Sequence, residues 1–188
     1  MTQYKSNLIP VSLDNADPEQ KEILEKAVAQ VGFIPNMYKN MVNLPGLLDT
    51  YLAGYAAFRE QGEFTTAEQE VVFLTISRDN ECHYCVAAHS VLADAMSGVP
   101  TAVTDAIRSG NKVADVKLDA LHDFTHHMLQ NQGRPSQDAV TKFTDSGYSE
   151  KHILAIILAI SVKTLSNYSN HIFDTEVDAM FQSRLWQK

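Results

Sequence analysis

Cys82 and Cys85, separated by two residues and followed by His89, have the spacing in this chain best suited to chemistry. If residues from Cys82 onward are helical, Cys85 lies about 300° round the axis and His89 about 340°, so all three side chains share an arc of about 60°. Cys85 and His89 are then an i, i+4 pair, and an imidazole beside a thiol raises its thiolate fraction. Both sulfurs sit in or just before the first turn, where unpaired N–H groups favour negative charge. Glu70 precedes them on a segment that must fold back through Asp79-Asn80-Glu81, which brings its carboxylate within reach of His89. A carboxylate that orients an imidazole, which activates a nucleophile, is the logic of a triad applied to a thiol. Glu81 is the rival carboxylate, although an exposed acid at a helix start is its more natural place. On physical grounds alone Cys82 is the expected attacker, being nearer the helix terminus and more exposed. Zinc is an alternative use of the same atoms, with Cys82, Cys85 and His89 joined by His83 or His171, but no second paired motif accompanies them. The plainest alternative is two buried, inert thiols filling a helix contact.

The rest of the composition narrows the setting. The chain has 188 residues, 45% of them hydrophobic, enough to bury a sizeable core as one domain over residues 1–188. A net charge of −8 with scattered basic residues argues against a nucleic-acid partner, because phosphate neutralisation needs clustered Lys and Arg. The start, Met1 to Pro10, has no charged stretch followed by an apolar one, so a cytoplasmic protein is expected. The strongest apolar run, Ile153 to Val162 between His152 and Lys163, is about half of what a bilayer needs, so a buried core helix is expected and no membrane contact. Two cysteines this close cannot staple a fold, which leaves redox chemistry or metal binding.

The elements that must position these residues read as helices throughout, giving an all-α fold. Asp17-Pro18-Glu19-Gln20 opens a helix to about Val31 before Gly32. Others are predicted around Asn36–Met41, from Pro45 to near Gly62, and from the capping box Thr65–Glu68 towards Arg78. Cys82–Ser97 follows, then Thr101–Ser109, Lys117–Gln130, Ser136–Thr144, Ser149 to about Asn170, and a short helix over Thr175–Leu185. About the first 40 residues read as an added helical arm.

The arrangement Glu70, eleven residues, Cys82-x-x-Cys85, three residues, His89, on two consecutive helices of an acidic all-α chain, resembles the AhpD-like alkylhydroperoxidases of the carboxymuconolactone decarboxylase superfamily. It is most similar to the longer, peroxidase-related members, over roughly Pro45–Val99. The segment Ile153–Asp178, with Asn167-Tyr168-Ser169-Asn170-His171, resembles their closing helix. The resemblance implies a helical bundle that assembles as a homo-oligomer, a trimer or hexamer. It also implies reduction of organic hydroperoxides with a dithiol reductant or carrier protein, without cofactor. By the same resemblance Cys85 attacks, His89 takes its proton, Glu70 orients and recharges His89, and Cys82 resolves the sulfenic acid to a disulfide. The chain departs from the best-known members in carrying Tyr84 where they have a histidine, with His83 one place earlier. A phenol near pKa 10 relays protons less readily at neutral pH. Two other readings stay open. One is a decarboxylase-like enzyme of aromatic degradation, although such members generally lack the CxxC pair. The other is a non-enzymatic dithiol sensor.

Remaining candidates read as structural. His122, His126 and His127 fit a solvated or interfacial helix face, although His122 and His126 have metal-ligand spacing. His171, with Asn167 and Asn170, lines a pocket or an oligomer contact, or ends its helix with hydrogen bonds. Met37, Met41, Tyr38, Tyr51, Tyr55 and Phe58 pack core or interface, with a hydroperoxide pocket as the lesser reading.

Overall fold

A computed structural model describes residues 4–187. Helix α1 (Pro18–Val31) starts where the Asp17 side chain accepts from Gln20 N–H and Gln20 returns the bond, and it stops at Gly32 in the left-handed region, φ 83°. Then come α2 (Asn36–Met41) and α3 (Pro45–Gln61), and α4 (Thr66–Asp79), which opens on the Thr65–Glu68 capping box. Beyond the turn lie α5 (His83–Ala95), α6 (Thr101–Ser109), α7 (Val116–Gln130), α8 (Gln137–Asp145) and α9 (Glu150–Phe173).

Two helices form the centre. Every residue of α4 from Glu68 to Ser77 is buried, and the helix packs against α5, α6, α7 and α9. A helix buried all round can hold polar groups only where they find partners, so its Glu68, Gln69 and Glu70 each hydrogen-bond a neighbour. The second, α9, passes α2, α3, α4 and α5, and is long and apolar enough by composition to cross a membrane. Only one face of it enters the core, while Leu154 and Ile157 on the other stand exposed, so the expected buried helix is buried on one side; that side carries a polar row, Lys163, Ser166, Asn167 and Asn170, at i, i+3, i+4 and i+7. It runs close to α3: a Cβ on Gly54 would stand 2.8 Å from Val162 Cγ2.

The structure departs from the sequence reading in two places. Cys82 does not belong to the helix body; it is the N-cap of α5, and its sulfur accepts from Cys85 N–H at 3.4 Å. The helix predicted over Thr175–Leu185 is instead an extended strap followed by a 3-10 turn, Ala179–Arg184. Asp178 causes this, because its carboxylate accepts from Asn36 N–H at 3.2 Å and from the Tyr84 hydroxyl, tying the strap to α2 and α5.

Candidate active site

The hairpin of α4 and α5 turns through Asn80 and Glu81, the latter at φ 55°, and Cys82 N–H donates to Ser77 O at 2.9 Å to close it. This sets Glu70, 1% exposed, with Oε2 2.7 Å from His89 Nδ1. The other Glu70 oxygen is held by the Arg59 guanidinium from α3, which also donates to the Tyr55 hydroxyl at 2.6 Å and to Gln69 Oε1 at 2.9 Å. Across the ring, His89 Nε2 lies 2.8 Å from Nζ of Lys163, a fully buried residue of α9. A carboxylate only accepts and an ammonium only donates, so His89 carries its proton on Nδ1 and accepts at Nε2. The imidazole is therefore neutral, and burial followed by the Lys163 charge pushes its pKa below the ordinary 6.5. Both ring nitrogens are occupied, and neither bonds a sulfur.

The sulfurs meet the polar row of α9. Asn170 Nδ2 lies 3.3 Å from Cys85 Sγ, 3.7 Å from Cys82 Sγ and 3.1 Å from Met37 Sδ, and Ser166 Oγ is 4.0 Å from Cys85 Sγ. Both cysteines are reduced and buried, Cys82 at 0% and Cys85 at 2% exposure, so the expected greater exposure of Cys82 is not found. Burial pushes the Cys85 thiol up, but the hydrogen bond from Cys82 and the Lys163 charge outweigh it and hold it well below 9.0. Burial and the hydrogen bond to Cys85 drive Cys82 well above that value. The pair is thus biased unequally, with negative charge favoured on Cys85 over Cys82.

The two cysteines border different spaces. Cys85 ends an apolar cavity of about 490 Å³ walled by Phe33, Met37, Tyr38, Tyr51, Tyr55 and Phe181, with His89 and Lys163 at its base. Cys82 forms the floor of a polar cleft of about 380 Å³ edged by Asp79, Asn80, Glu81, His171 and Thr175. Tyr84 lines both; it is buried, and its hydroxyl, pushed up in pKa by burial and by Asp178, donates to Asp178.

Among the sequence-predicted residues, Glu70, Cys82, Cys85 and His89 come together, while His83 is exposed with Nδ1 2.9 Å from the Trp186 carbonyl. His171 stacks on Tyr168 at the cleft. His122 bonds Thr75 Oγ1 at 2.8 Å, His126 bonds Asp79 at 2.6 Å and His127 accepts from Ser136 N–H, so this histidine face is used in helix packing. Met37, Tyr38, Tyr51 and Tyr55 line the cavity, whereas Met41 and Phe58 are core. Among the described residues no three His, Cys, Asp or Glu side chains gather as metal ligands. Sequence reasoning missed Arg59 and Lys163. The signal for Lys163 was present, since a Lys-Ser-Asn-Asn row at i, i+3, i+4 and i+7 is out of place in an apolar helix unless it faces a polar site.

No sequence model of a protein family matches the chain, and no curated protein is significantly similar to it. Solved structures are. A peroxidase-related protein with an alkylhydroperoxidase AhpD core, from Ralstonia eutropha, superposes with a TM-score of 0.81 at 18% identity, over 99% of this chain and 100% of that one. A peroxidase-related protein from Silicibacter gives 0.73 at 19% identity, over 96% and 97%. A cysteine-to-alanine variant of the debrominase Bmp8, in complex with 2,3,4-tribromopyrrole, gives 0.76 at 15% identity, over 97% of each chain. From the first residues of α1 to the closing strap, the chain has the AhpD-like fold shared by these peroxidase-related proteins.

Proposed function

We propose that the chain is a thiol-dependent peroxidase that reduces organic hydroperoxides. The observation that carries this reading is the apolar cavity ending on Cys85, a buried sulfur favoured as thiolate with a protonated second thiol one turn away. The Cys85 thiolate attacks the terminal peroxide oxygen, the O–O bond breaks, and the alkoxide leaves with a proton from the buried row of Glu70, His89 and Lys163. Cys85 is now a sulfenic acid. Cys82 displaces its oxygen as water, and a disulfide forms. A dithiol reductant then attacks Cys82 from the polar cleft and expels Cys85, whose low pKa makes it the better leaving group. Two electrons and two protons pass from the reductant to give alcohol and water.

Cumene hydroperoxide consumed with dithiothreitol in steady state is the test. Cys85→Ser should abolish turnover, and Cys82→Ser should leave a sulfenic acid that dimedone traps on Cys85. Label that persists in Cys85→Ser and vanishes in Cys82→Ser would reverse the order of attack. A disulfide that forms once and never turns over with any reductant would make the protein a sensor instead.

A second reading is reductive dehalogenation, supported by the likeness to the debrominase and by the aromatic walls of the same cavity. The same dithiol would supply two electrons and two protons to replace a ring halogen with hydrogen. Halide released from 2,3,4-tribromopyrrole with dithiothreitol, without hydroperoxide consumption, would select it.

A further inference from the structure

Lys163 occupies an unusual position. Its side chain is fully buried in the centre of the fold, with Nζ against His89 Nε2 and 5.5 Å from the centroid of the Phe73 ring. Among the described residues no carboxylate pairs with it. The one buried carboxylate nearby, Glu70, has one oxygen on Arg59 and the other on His89, and is thus used up. A buried ammonium without an anion is costly, and a neutral imidazole and a ring face replace only part of its hydration.

The groups that face this centre can be named by element. Tyr38 comes from α2, Tyr51, Tyr55 and Arg59 from α3, Glu70 from α4, and Cys82 (the N-cap), Tyr84, Cys85 and His89 from the start and body of α5. Tyr38, Tyr51 and Tyr55 are pushed up by burial and stay neutral. Tyr84 is neutral and turned to Asp178. Two cations, Arg59 and Lys163, therefore stand against a single carboxylate, and one positive charge is left over.

We propose that Lys163 is the counter-ion of the Cys85 thiolate, a positioning residue for the nucleophile, and that His89 acts by fixing Lys163 rather than by contacting the sulfur. The row Arg59, Glu70, His89, Lys163, Cys85 then alternates in charge about a neutral imidazole and sums to nothing. The balance also survives the reaction. When Cys85 attacks the peroxide its negative charge leaves on the alkoxide, Lys163 gives that alkoxide its proton, and neither a stranded cation nor a stranded anion remains. When a dithiol reduces the disulfide, Cys85 returns as thiolate and the released proton returns to Lys163. This inference rests on the peroxidase reading for its steps, but the ion pair itself can be tested without peroxide.

The experiment titrates one sulfur in a Cys82→Ser background, following thiolate absorbance and the pH dependence of alkylation by iodoacetamide. Lys163→Met keeps the packing of the stem and removes the charge. Lys163→Gln keeps a donor for His89 without charge, and Lys163→Arg keeps the charge. Met and Gln should each move the Cys85 midpoint up by about 1–3 pH units, the range for loss of an adjacent opposite charge, while Arg should hold it near the parent. A parent midpoint unchanged in folded Met or Gln variants, checked by circular dichroism, would overturn the proposal. So would a midpoint that rises with Met but not with Gln, since only the hydrogen bond to His89 would then matter. Should Met fail to fold, Gln against Arg alone decides. A low, Lys163-dependent midpoint in a protein that consumes no hydroperoxide would uphold the ion pair and reject the peroxidase.

Discussion

Glu70 and His89 are protonated more reluctantly in the fold than out of it, and this makes stability depend on acid in a definite order. Burial favours neutral Glu70, but His89 and Arg59 outweigh it and leave the carboxyl below its ordinary 4.5. His89 lies below its ordinary 6.5 because of burial and Lys163. A group whose folded pKa is depressed adds stability that is complete above its unfolded value and is lost as pH falls towards the folded one. Urea unfolding should therefore weaken first below pH 6.5, as His89 is forced to charge, and again below 4.5, as Glu70 is neutralised. His89→Gln should flatten the first stage and shrink the second, because His89 is the larger part of what holds Glu70 down. Glu70→Gln strands buried neighbours and should cost about 3 kcal/mol at neutral pH, read from the same unfolding curves. The Glu–Cys–Cys–His group was legible because its members lie within twenty residues on one hairpin, where helix geometry alone brings them together. Lys163 and Arg59 approach from other helices, and the row they complete is a tertiary fact.

Among the elements, the helices with explicit start signals were the readable ones: the capping boxes at Asp17 and Thr65 begin α1 and α4 where the sequence places them. The closing strap was not readable, because Asp178 is tied to Asn36 and Tyr84, residues distant in sequence, and those bonds override its local helical pattern. The contact of α3 with α9 shapes the inner part of the site, since α3 supplies Tyr51, Tyr55 and Arg59 and α9 supplies Lys163. Gly54 allows it. Alanine there gains about 1 kcal/mol of helix propensity but meets Val162 at 2.8 Å, and overpacking of this kind costs about 1–3 kcal/mol. Gly54→Ala should lower the Tm, and Val162→Ala should restore it in the double variant. Equal Tm values for Gly54→Ala in both backgrounds would show that the two helices part without strain.

For the molecule as a whole, an apolar cavity borders Cys85 and a separate polar cleft borders Cys82, so under the proposed reading oxidant and reductant would not compete for the same opening. The cavity has one further property. Met96 and Met180 line it and stand exposed, and Met37 lies buried beside Cys85, so under the proposed peroxidase reading a hydroperoxide drawn inward would pass three thioethers before it met the Cys85 sulfur. Thioethers also accept oxygen from peroxides and become polar sulfoxides. With oxidant in excess over reductant, intact-mass spectra should gain one oxygen at a time on these methionines while turnover declines, and methionine-to-leucine variants should outlast the parent. The working life of such a catalyst would then be counted in turnovers rather than hours, with wear recorded on the walls of its own channel.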